Sequence, residues 1–134
     1  PMHEAMKTQL ILSGIISGSI IFQTVIIAPS VFKLLEVNDV RNLLRHIFPR
    51  LFTFLSIIGL ISITCNLVLG VTIYIQYLVS ALSFIIPSMC YLIIPETNKA
   101  KDSGDEKKFD MLHKISVILT MVLLLINLSW LFFI

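Results

Sequence analysis

The stretch LFTFLSIIGLISITCNLVLGVTIYIQYLVSALSFIIPSMCYLIIP, residues 51–95, contains no Asp, Glu, Lys or Arg. A membrane-spanning helix needs about 20 mainly apolar residues. These 45 residues would make a helix of about 68 Å at 1.5 Å per residue, roughly twice the hydrocarbon thickness of a bilayer. The stretch therefore predicts two membrane spans, over about 49–67 and 73–94, joined by a tight turn within 66–72.

The same criterion places one further span on each side of this stretch. No charged residue lies between Lys7 and Lys33, which predicts a span over about 9–28, and the apolar end of the chain predicts another over about 112–134. The chain is 57% hydrophobic and only 13% charged, and a chain of this length could not bury so much apolar surface in one core. We therefore predict a single all-α domain over 1–134, an integral membrane four-helix bundle in contact with the lipid bilayer.

Two connections between the predicted spans are longer than a tight turn. Between Lys33 and His46, apolar residues are interleaved with charged ones, and Asn38 or Asp39 would suit the N-cap of a helix. We predict a short interfacial helix between spans one and two that stops before Pro49, since the residue before a proline avoids the α-helical conformation. The connection over 95–108 is rich in charged residues and predicts a solvated polar loop.

The basic residues divide unequally between the two sides of the predicted bundle. Lys7 lies alone on one side, and the other side holds Lys33, Arg41, Arg45, Arg50, Lys99, Lys101, Lys107, Lys108 and Lys114. Short basic loops stay on the cytoplasmic side of a membrane. We therefore expect the basic loops to be cytoplasmic, or on the equivalent side of an organelle, and both termini to lie on the outer side. The net charge of +2 gives no reason to expect binding to nucleic acid.

Small and hydroxylated residues recur at helical spacing within spans one and four. The positions expected to face the bundle interior are Ser13, Ser17, Thr24, Ser116, Thr120 and Asn127. Gly14 and Gly18 form a G-x-x-x-G pattern, which is typical of close helix packing in lipid. The polar positions predict either tight packing with interhelical hydrogen bonds or a path for a small solute. No charged residue lies deep within a span, which argues against ion-coupled transport.

Four polar side chains fall near the interface on the basic side, namely His46, Arg50, Asp110 and His113. Asp110 and His113 are three residues apart on one helix face, so the carboxylate could orient the imidazole. We expect Arg50 and Asp110 to join an interfacial network of hydrogen bonds and ion pairs, with contact to a partner or to anionic lipid headgroups as the alternative. His46 and His113 could ligate a haem, but no metal-binding motif accompanies them, and we expect no cofactor or metal.

Several short motifs, in a fixed order, resemble a known family. They are Ala28-Pro29-Ser30-Val31-Phe32, Phe48-Pro49-Arg50-Leu51-Phe52, Pro95-Glu96-Thr97 and Leu112-His113-x-x-Ser116. Their order and spacing are similar to those of the transmembrane protein 205-like family, also called domain of unknown function 4149. The resemblance implies four spans and their topology, and it implies no established reaction.

The sequence contains no catalytic constellation, phosphate-binding loop or pair of buried carboxylates. We therefore expect no catalytic residue, and we predict a non-catalytic accessory subunit, assembly factor or scaffold of a larger membrane complex. Its partners would be other membrane proteins or further copies of the chain. Two alternatives stay open at this point: a small-solute permease or channel-like protein that uses the polar positions, and a haem- or metal-binding redox protein that uses His46 and His113.

Overall fold

The computed structural model describes residues 2–133, which form four long helical segments and no strand. The first segment consists of α1 (Met2–Phe22), a π-helical turn (Gln23–Ile27) and α2 (Ala28–Leu34). It is followed by α3 (Val37–Val68), α4 (Tyr74–Asp102), α5 (Glu106–Ser129) and a 3₁₀ turn (Trp130–Phe132). All four segments are long and apolar enough to cross a membrane, and they pack against one another. The prediction of an all-α integral membrane four-helix bundle is confirmed.

The π-helical turn in the first segment comes directly before a proline. Pro29 has no N–H to donate, and its ring crowds the carbonyl one turn earlier. The chain widens over Gln23–Ile27, so that the Ala28 N–H donates to the Gln23 carbonyl, five residues back. This widening lets the helix continue to Leu34, beyond the predicted end of span one near residue 28.

The predicted interfacial helix does not stop before Pro49 as a separate element, so its predicted end is wrong. The amphipathic segment is helical, but it is the first part of α3, which runs from Val37 through Pro49 to Val68. The Arg50 guanidinium donates to the His46 carbonyl at 2.8 Å, and the Thr53 hydroxyl donates to the Pro49 carbonyl at 2.7 Å. Polar side chains thus bond backbone carbonyls around the proline, and the helix continues through it.

Two glycines close the turns between the last three helices. Gly70 (φ 66°) and Gly104 (φ 76°) both adopt the left-handed conformation that ends helices and that only glycine reaches without strain. The first turn lies where the sequence predicts it. The second, at 103–105, is much shorter than the predicted polar loop over 95–108, because Pro95 lies inside α4 and the Asp105 carboxylate caps α5 by accepting from the Lys108 N–H at 3.1 Å.

The helices alternate in direction and form a closed ring in which α1 contacts α3 and α5, and α4 packs between α3 and α5. The apolar centre of the bundle consists of Ile16, Ile20, Phe52, Leu55, Ile86, Cys90 and Leu123, all buried. The start of α1 and the 3₁₀ turn after α5 lie at one end of the bundle, here called the termini end. The opposite end, here called the basic end, holds the α2–α3 and α4–α5 connections.

Candidate functional site

The most developed polar feature of the bundle is a cluster of buried amides and hydroxyls near the termini end. Its members come from α1, α3 and α4, and are Gln9, Ser13, Ser62, Asn66, Gln76 and Ser80. Each of these residues is at most 2% exposed. We call this set the amide–hydroxyl cluster. Since a buried polar group without a partner costs about 1–3 kcal/mol, its hydrogen bonds decide what it can do.

The first half of the cluster centres on the Gln9 side chain. The Gln9 Nε2 donates to the Ser13 Oγ one turn further along α1, at 2.9 Å. The Gln9 Oε1 lies 2.8 Å from the Ser62 Oγ and 2.9 Å from the Ser80 Oγ, and these two hydroxyls are 2.7 Å apart. The three oxygens share two hydroxyl protons, which ties α1, α3 and α4 together at one point.

The second half joins the two sides of the turn at Gly70. The Asn66 Nδ2 donates to the Ser80 Oγ at 2.6 Å and to the Gln76 carbonyl at 3.3 Å. The Gln76 Nε2 in turn donates to the Asn66 Oδ1 and to the Ala5 carbonyl, both at 3.0 Å. The cluster therefore fixes the α3–α4 turn and fastens the start of α1 to it. One acceptor, the Gln76 Oε1, receives no hydrogen bond from the described residues.

Two further polar contacts cross between helices nearer the middle of the bundle. Asn127 in α5 donates through Nδ2 to the Ser83 Oγ in α4 at 3.0 Å, and both residues are buried. The Ser56 and Ser88 hydroxyls, from α3 and α4, lie 3.1 Å apart. Within residues 2–133, neither contact shares a hydrogen bond with the amide–hydroxyl cluster.

The predicted interior positions divide into three groups in the structure. Ser13, Ser17 and Asn127 are buried, as expected, while Ser116 and Thr120 are half-buried. The Thr120 hydroxyl donates to the Ser116 carbonyl of its own helix at 2.7 Å. Thr24 is exposed, and the prediction that it faces the interior is wrong. It lies in the π-helical turn, where the wider spacing brings Gln23 to the inner face in its place.

Gly14 and Gly18 do not pack against another of the helices that the structure describes over residues 2–133. Both are exposed, and a Cβ added at either position would meet nothing within 4 Å. Their expected role in helix packing therefore stays a prediction about a partner outside residues 2–133. Gly59 of α3 is the glycine at which helices meet, because a Cβ there would overlap the backbone of Ser83 and Phe84 in α4.

The four side chains predicted to form an interfacial cluster at the basic end do not form one. His46, Arg50, Asp110 and His113 are all exposed, and His113 stacks on Phe109 of its own helix, with ring centroids 5.7 Å apart. No hydrogen bond within residues 2–133 joins Arg50 or Asp110 to a histidine side chain. The prediction that Arg50 and Asp110 join an interfacial network with the two histidines is therefore wrong.

Other residues make the ion pairs at the basic end. The Arg45 guanidinium binds the Asp102 carboxylate through two hydrogen bonds of 2.6 and 3.2 Å, which joins α3 to the end of α4. The Lys108 Nζ lies 3.1 Å from the Glu96 Oε2, across the α4–α5 turn. The Arg45 guanidinium lowers the pKa of Asp102 below its ordinary value of 3.8. Both pairs are partly exposed, so each contributes little to stability.

The two histidines considered for a haem line neither of the two cavities described next. One surface cavity, between α3 and α4, is lined by residues that include Ser56, Ser88 and Tyr91. A second lies at the termini end beside Gln76. Neither is lined by a histidine, and no group of three or more His, Cys, Asp or Glu residues within 2–133 is placed to hold a metal ion.

Sequence reasoning missed most of the amide–hydroxyl cluster. Gln9, Asn66 and Gln76 lie at the ends of predicted spans, where polar residues are expected to face headgroups and water. A signal was present, because Gln9 and Ser13 are four residues apart on one face of α1, and two amides flank the turn at Gly70. The sequence does not specify that these faces meet.

The comparisons with known proteins give one match. The sequence model of a family described as Domain of unknown function (DUF4149) matches residues 11–106, from the middle of α1 to the first residue of α5. The comparison with curated proteins finds no match, and the comparison with solved structures finds none either.

Proposed function

Because the chain belongs to the DUF4149 family, whose description states no function, we propose its function from the geometry. We infer that it is a non-catalytic accessory subunit, assembly factor or scaffold of a larger membrane complex. It binds a membrane-spanning helix of its partner along the outer face of α1. The observation that carries this proposal is the open surface at Gly14 and Gly18.

The outer face of α1 has the composition of a helix-binding surface. Gly14 and Gly18 lie one turn apart, and Ile11, Ile15 and Phe22 lie on the same face, all exposed. We call these five residues the α1 groove face. Two glycines one turn apart allow another helix backbone to approach closely, and the large apolar side chains beside them pack against it.

A cost in helix stability supports a role for these two glycines. Glycine within a helix is less favourable than alanine by about 0.5–1 kcal/mol. At Gly59 this cost is offset by the close contact with α4. At Gly14 and Gly18 no contact with residues 2–133 offsets it, and a partner helix would supply the missing contact.

The closed centre of the bundle favours this proposal over a permease. Between the amide–hydroxyl cluster and the basic end lies the apolar centre, in which Ile16, Leu55 and Cys90 have no exposed surface. A polar solute crossing there would lose its hydrogen bonds to water without replacement, which costs several kcal/mol for each polar group. No described feature favours the haem-binding alternative, which stays a prediction.

We further propose that both termini lie on the outer side of the membrane and the basic end on the cytoplasmic side or its organellar equivalent. The support is the charge distribution. Nine of the ten basic residues lie from Lys33 to Arg50 or from Lys99 to Lys114, the segments that flank the α2–α3 and α4–α5 connections.

Site-specific photo-crosslinking tests where the partner binds. A photoreactive residue replaces Ile15 on the α1 groove face, and in a matched control it replaces Ile57 on an exposed face of α3. The proposal expects one crosslinked product with a different membrane protein from position 15 in native membranes, and its loss in the double variant Gly14→Leu/Gly18→Leu. Crosslinking at position 57 alone, or a product that the double variant leaves unchanged, would refute the proposed interface.

A further inference from the structure

We propose that the surface cavity between α3 and α4 binds one anionic phospholipid, with an acyl chain in the cavity and the phosphate at the Arg50 guanidinium. We call this cavity the α3–α4 groove, and its walls are formed by Thr53, Ser56, Ile57 and Leu60 of α3 and by residues of α4 that include Ser88 and Leu92. The site goes beyond the proposed function, since it does not involve the α1 groove face.

The size and direction of the α3–α4 groove suit a stretch of acyl chain. Its volume is about 260 Å³, and about 150 Å³ is already enough for benzene. The α3 wall runs from Thr53 to Leu60, which is about 10 Å along the helix axis at 1.5 Å per residue. Because the helices cross the membrane, the groove lies along the direction of the surrounding lipid chains, and an extended chain fits it lengthwise.

The hydroxyl groups in the walls do not require a polar ligand. The Ser88 Oγ donates to the Phe84 carbonyl at 2.7 Å, so in its 3.1 Å contact with the Ser56 Oγ the Ser56 hydroxyl is the donor. The Thr53 hydroxyl donates to the Pro49 carbonyl at 2.7 Å. All three hydroxyl protons are thus bound within the protein, and hydrocarbon can cover these groups without leaving a donor unpaired.

On both helices, the face that lines the groove reaches a basic residue towards the basic end. On α3, Arg50 lies three residues before Thr53, and on α4, Leu92, Pro95 and Lys99 follow at intervals of three and four residues. These spacings place the residues of each set on one helix face. Arg50 and Lys99 are both exposed, so the groove opens between two positive charges at the level expected for headgroups.

The Arg50 guanidinium is directed towards that headgroup level. Its Nη1 donates to the His46 carbonyl at 2.8 Å, one turn nearer the basic end of α3. A guanidinium has five N–H donors, and long basic side chains place their charge at the membrane interface while their stems cover apolar surface. The donors that His46 does not use are available to a phosphate.

The carboxylates nearest to Lys99 are already neutralised. Glu96 and Asp102, each three residues from Lys99, are ion-paired with Lys108 and Arg45, and no ion pair within residues 2–133 involves Lys99 itself. Basic pockets between membrane helices bind anionic headgroups. A zwitterionic headgroup would bring its own cation against Lys99, so the site favours a lipid with net negative charge.

Native mass spectrometry of the purified wild-type chain, titrated with lipid in mild detergent, tests the ligand. Dioleoyl phosphatidylglycerol should bind about five- to twentyfold more tightly than dioleoyl phosphatidylcholine, since each basic residue near a headgroup contributes about a fivefold factor. Millimolar glycerol 3-phosphate, which has the phosphate but no chain, should not displace the bound lipid. Equal affinities for the two lipids would overturn the role of the basic residues, and displacement by glycerol 3-phosphate would overturn the role of the groove.

Two pairs of variants test the location. Arg50→Gln should weaken phosphatidylglycerol binding about fivefold, while Lys114→Gln, which removes an exposed charge of α5, should leave it nearly unchanged. Thr53→Trp fills the groove and should weaken binding of both lipids, whereas Ile118→Trp, at an exposed position of α5, should not. Equal effects within either pair would overturn the site. The comparison of lipids in the wild-type protein decides the proposal even if a variant does not fold.

Discussion

Gly59 lies directly against the backbone of Ser83, so closely that a Cβ at position 59 would overlap the Ser83 carbonyl group. This contact sets the distance between α3 and α4, the pair of helices with the most extensive packing. It places Ser62, one turn further along α3, within hydrogen-bonding distance of Ser80. The close approach and the amide–hydroxyl cluster therefore depend on each other.

Gly59→Ala should destabilise the bundle by about 1–3 kcal/mol, because the added methyl group forces two helix backbones apart in a packed interior. Gly18→Ala is the matched control. It adds the same methyl group in open space and should be neutral or stabilising by up to about 1 kcal/mol. Thermal or denaturant unfolding in a mild detergent measures both. Equal stability of the two variants would show that α3 and α4 are not in contact at position 59.

Ser62→Ala should destabilise the bundle by about 0.5–2 kcal/mol. It removes a hydroxyl that lies within 2.8 Å of both the Gln9 Oε1 and the Ser80 Oγ, and interhelical hydrogen bonds in membranes are worth about this much. Ser19→Ala is the control, because the Ser19 hydroxyl bonds only the Ile15 carbonyl of its own helix. If both variants unfold at the same denaturant concentration, the cluster does not join the helices.

The Asp102 carboxylate should titrate below its ordinary pKa of 3.8, because the Arg45 guanidinium stabilises its charged form. A carboxyl whose folded-state pKa is lowered stabilises the fold at pH values above its unfolded pKa. This contribution should fall off as the pH drops below about 3.8 and disappear below the folded-state pKa. The pH dependence of the Asp102 ¹³C carboxyl shift measures it, and Arg45→Gln should return the pKa towards the ordinary value. An identical titration in both proteins would exclude the ion pair.

Single cysteines placed at the two ends of the bundle should react from opposite sides of the membrane. With Cys65 and Cys90 replaced by Ala, Lys7→Cys should be labelled by an impermeant maleimide added outside intact cells. Ser103→Cys, in the α4–α5 turn, should be labelled only after the membrane is opened. The reversed pattern would contradict the proposed orientation, and labelling of both residues from one side would contradict the arrangement of the four spans.

The sequence was sufficient to predict the number of spans and the position of the tight turn at Gly70, but it predicts a polar loop over 95–108 where the structure has a turn at 103–105. Uncharged stretches longer than a bilayer thickness leave few other arrangements, and Gly70 and Gly104 mark the two turns. Helix ends were harder to predict. The sequence predicts a break before Pro49 and a loop from Pro95, but α3 continues through Pro49 and α4 through Pro95. Near Pro49, the Arg50 guanidinium donates to the His46 carbonyl.

The polar interior was predicted only in part, for a geometric reason. A periodic pattern identifies one face of each helix, but the rotation of that face relative to the other helices depends on packing contacts such as that of Gly59 with Ser83. Ser13 and Gly14 are adjacent in sequence, yet one is buried and the other is exposed. Thr24 was misplaced because the π-helical turn before Pro29 shifts the periodicity at that point.

The proposed function is tested most directly by native mass spectrometry of the protein extracted from its own membranes in mild detergent. We predict a larger assembly in which the wild-type chain is bound to a different membrane protein at fixed stoichiometry. The double variant Gly14→Leu/Gly18→Leu should be released from it, and Thr64→Leu, on an exposed part of α3, should remain bound. A wild-type chain that is found alone, or bound only to copies of itself, would contradict the proposal.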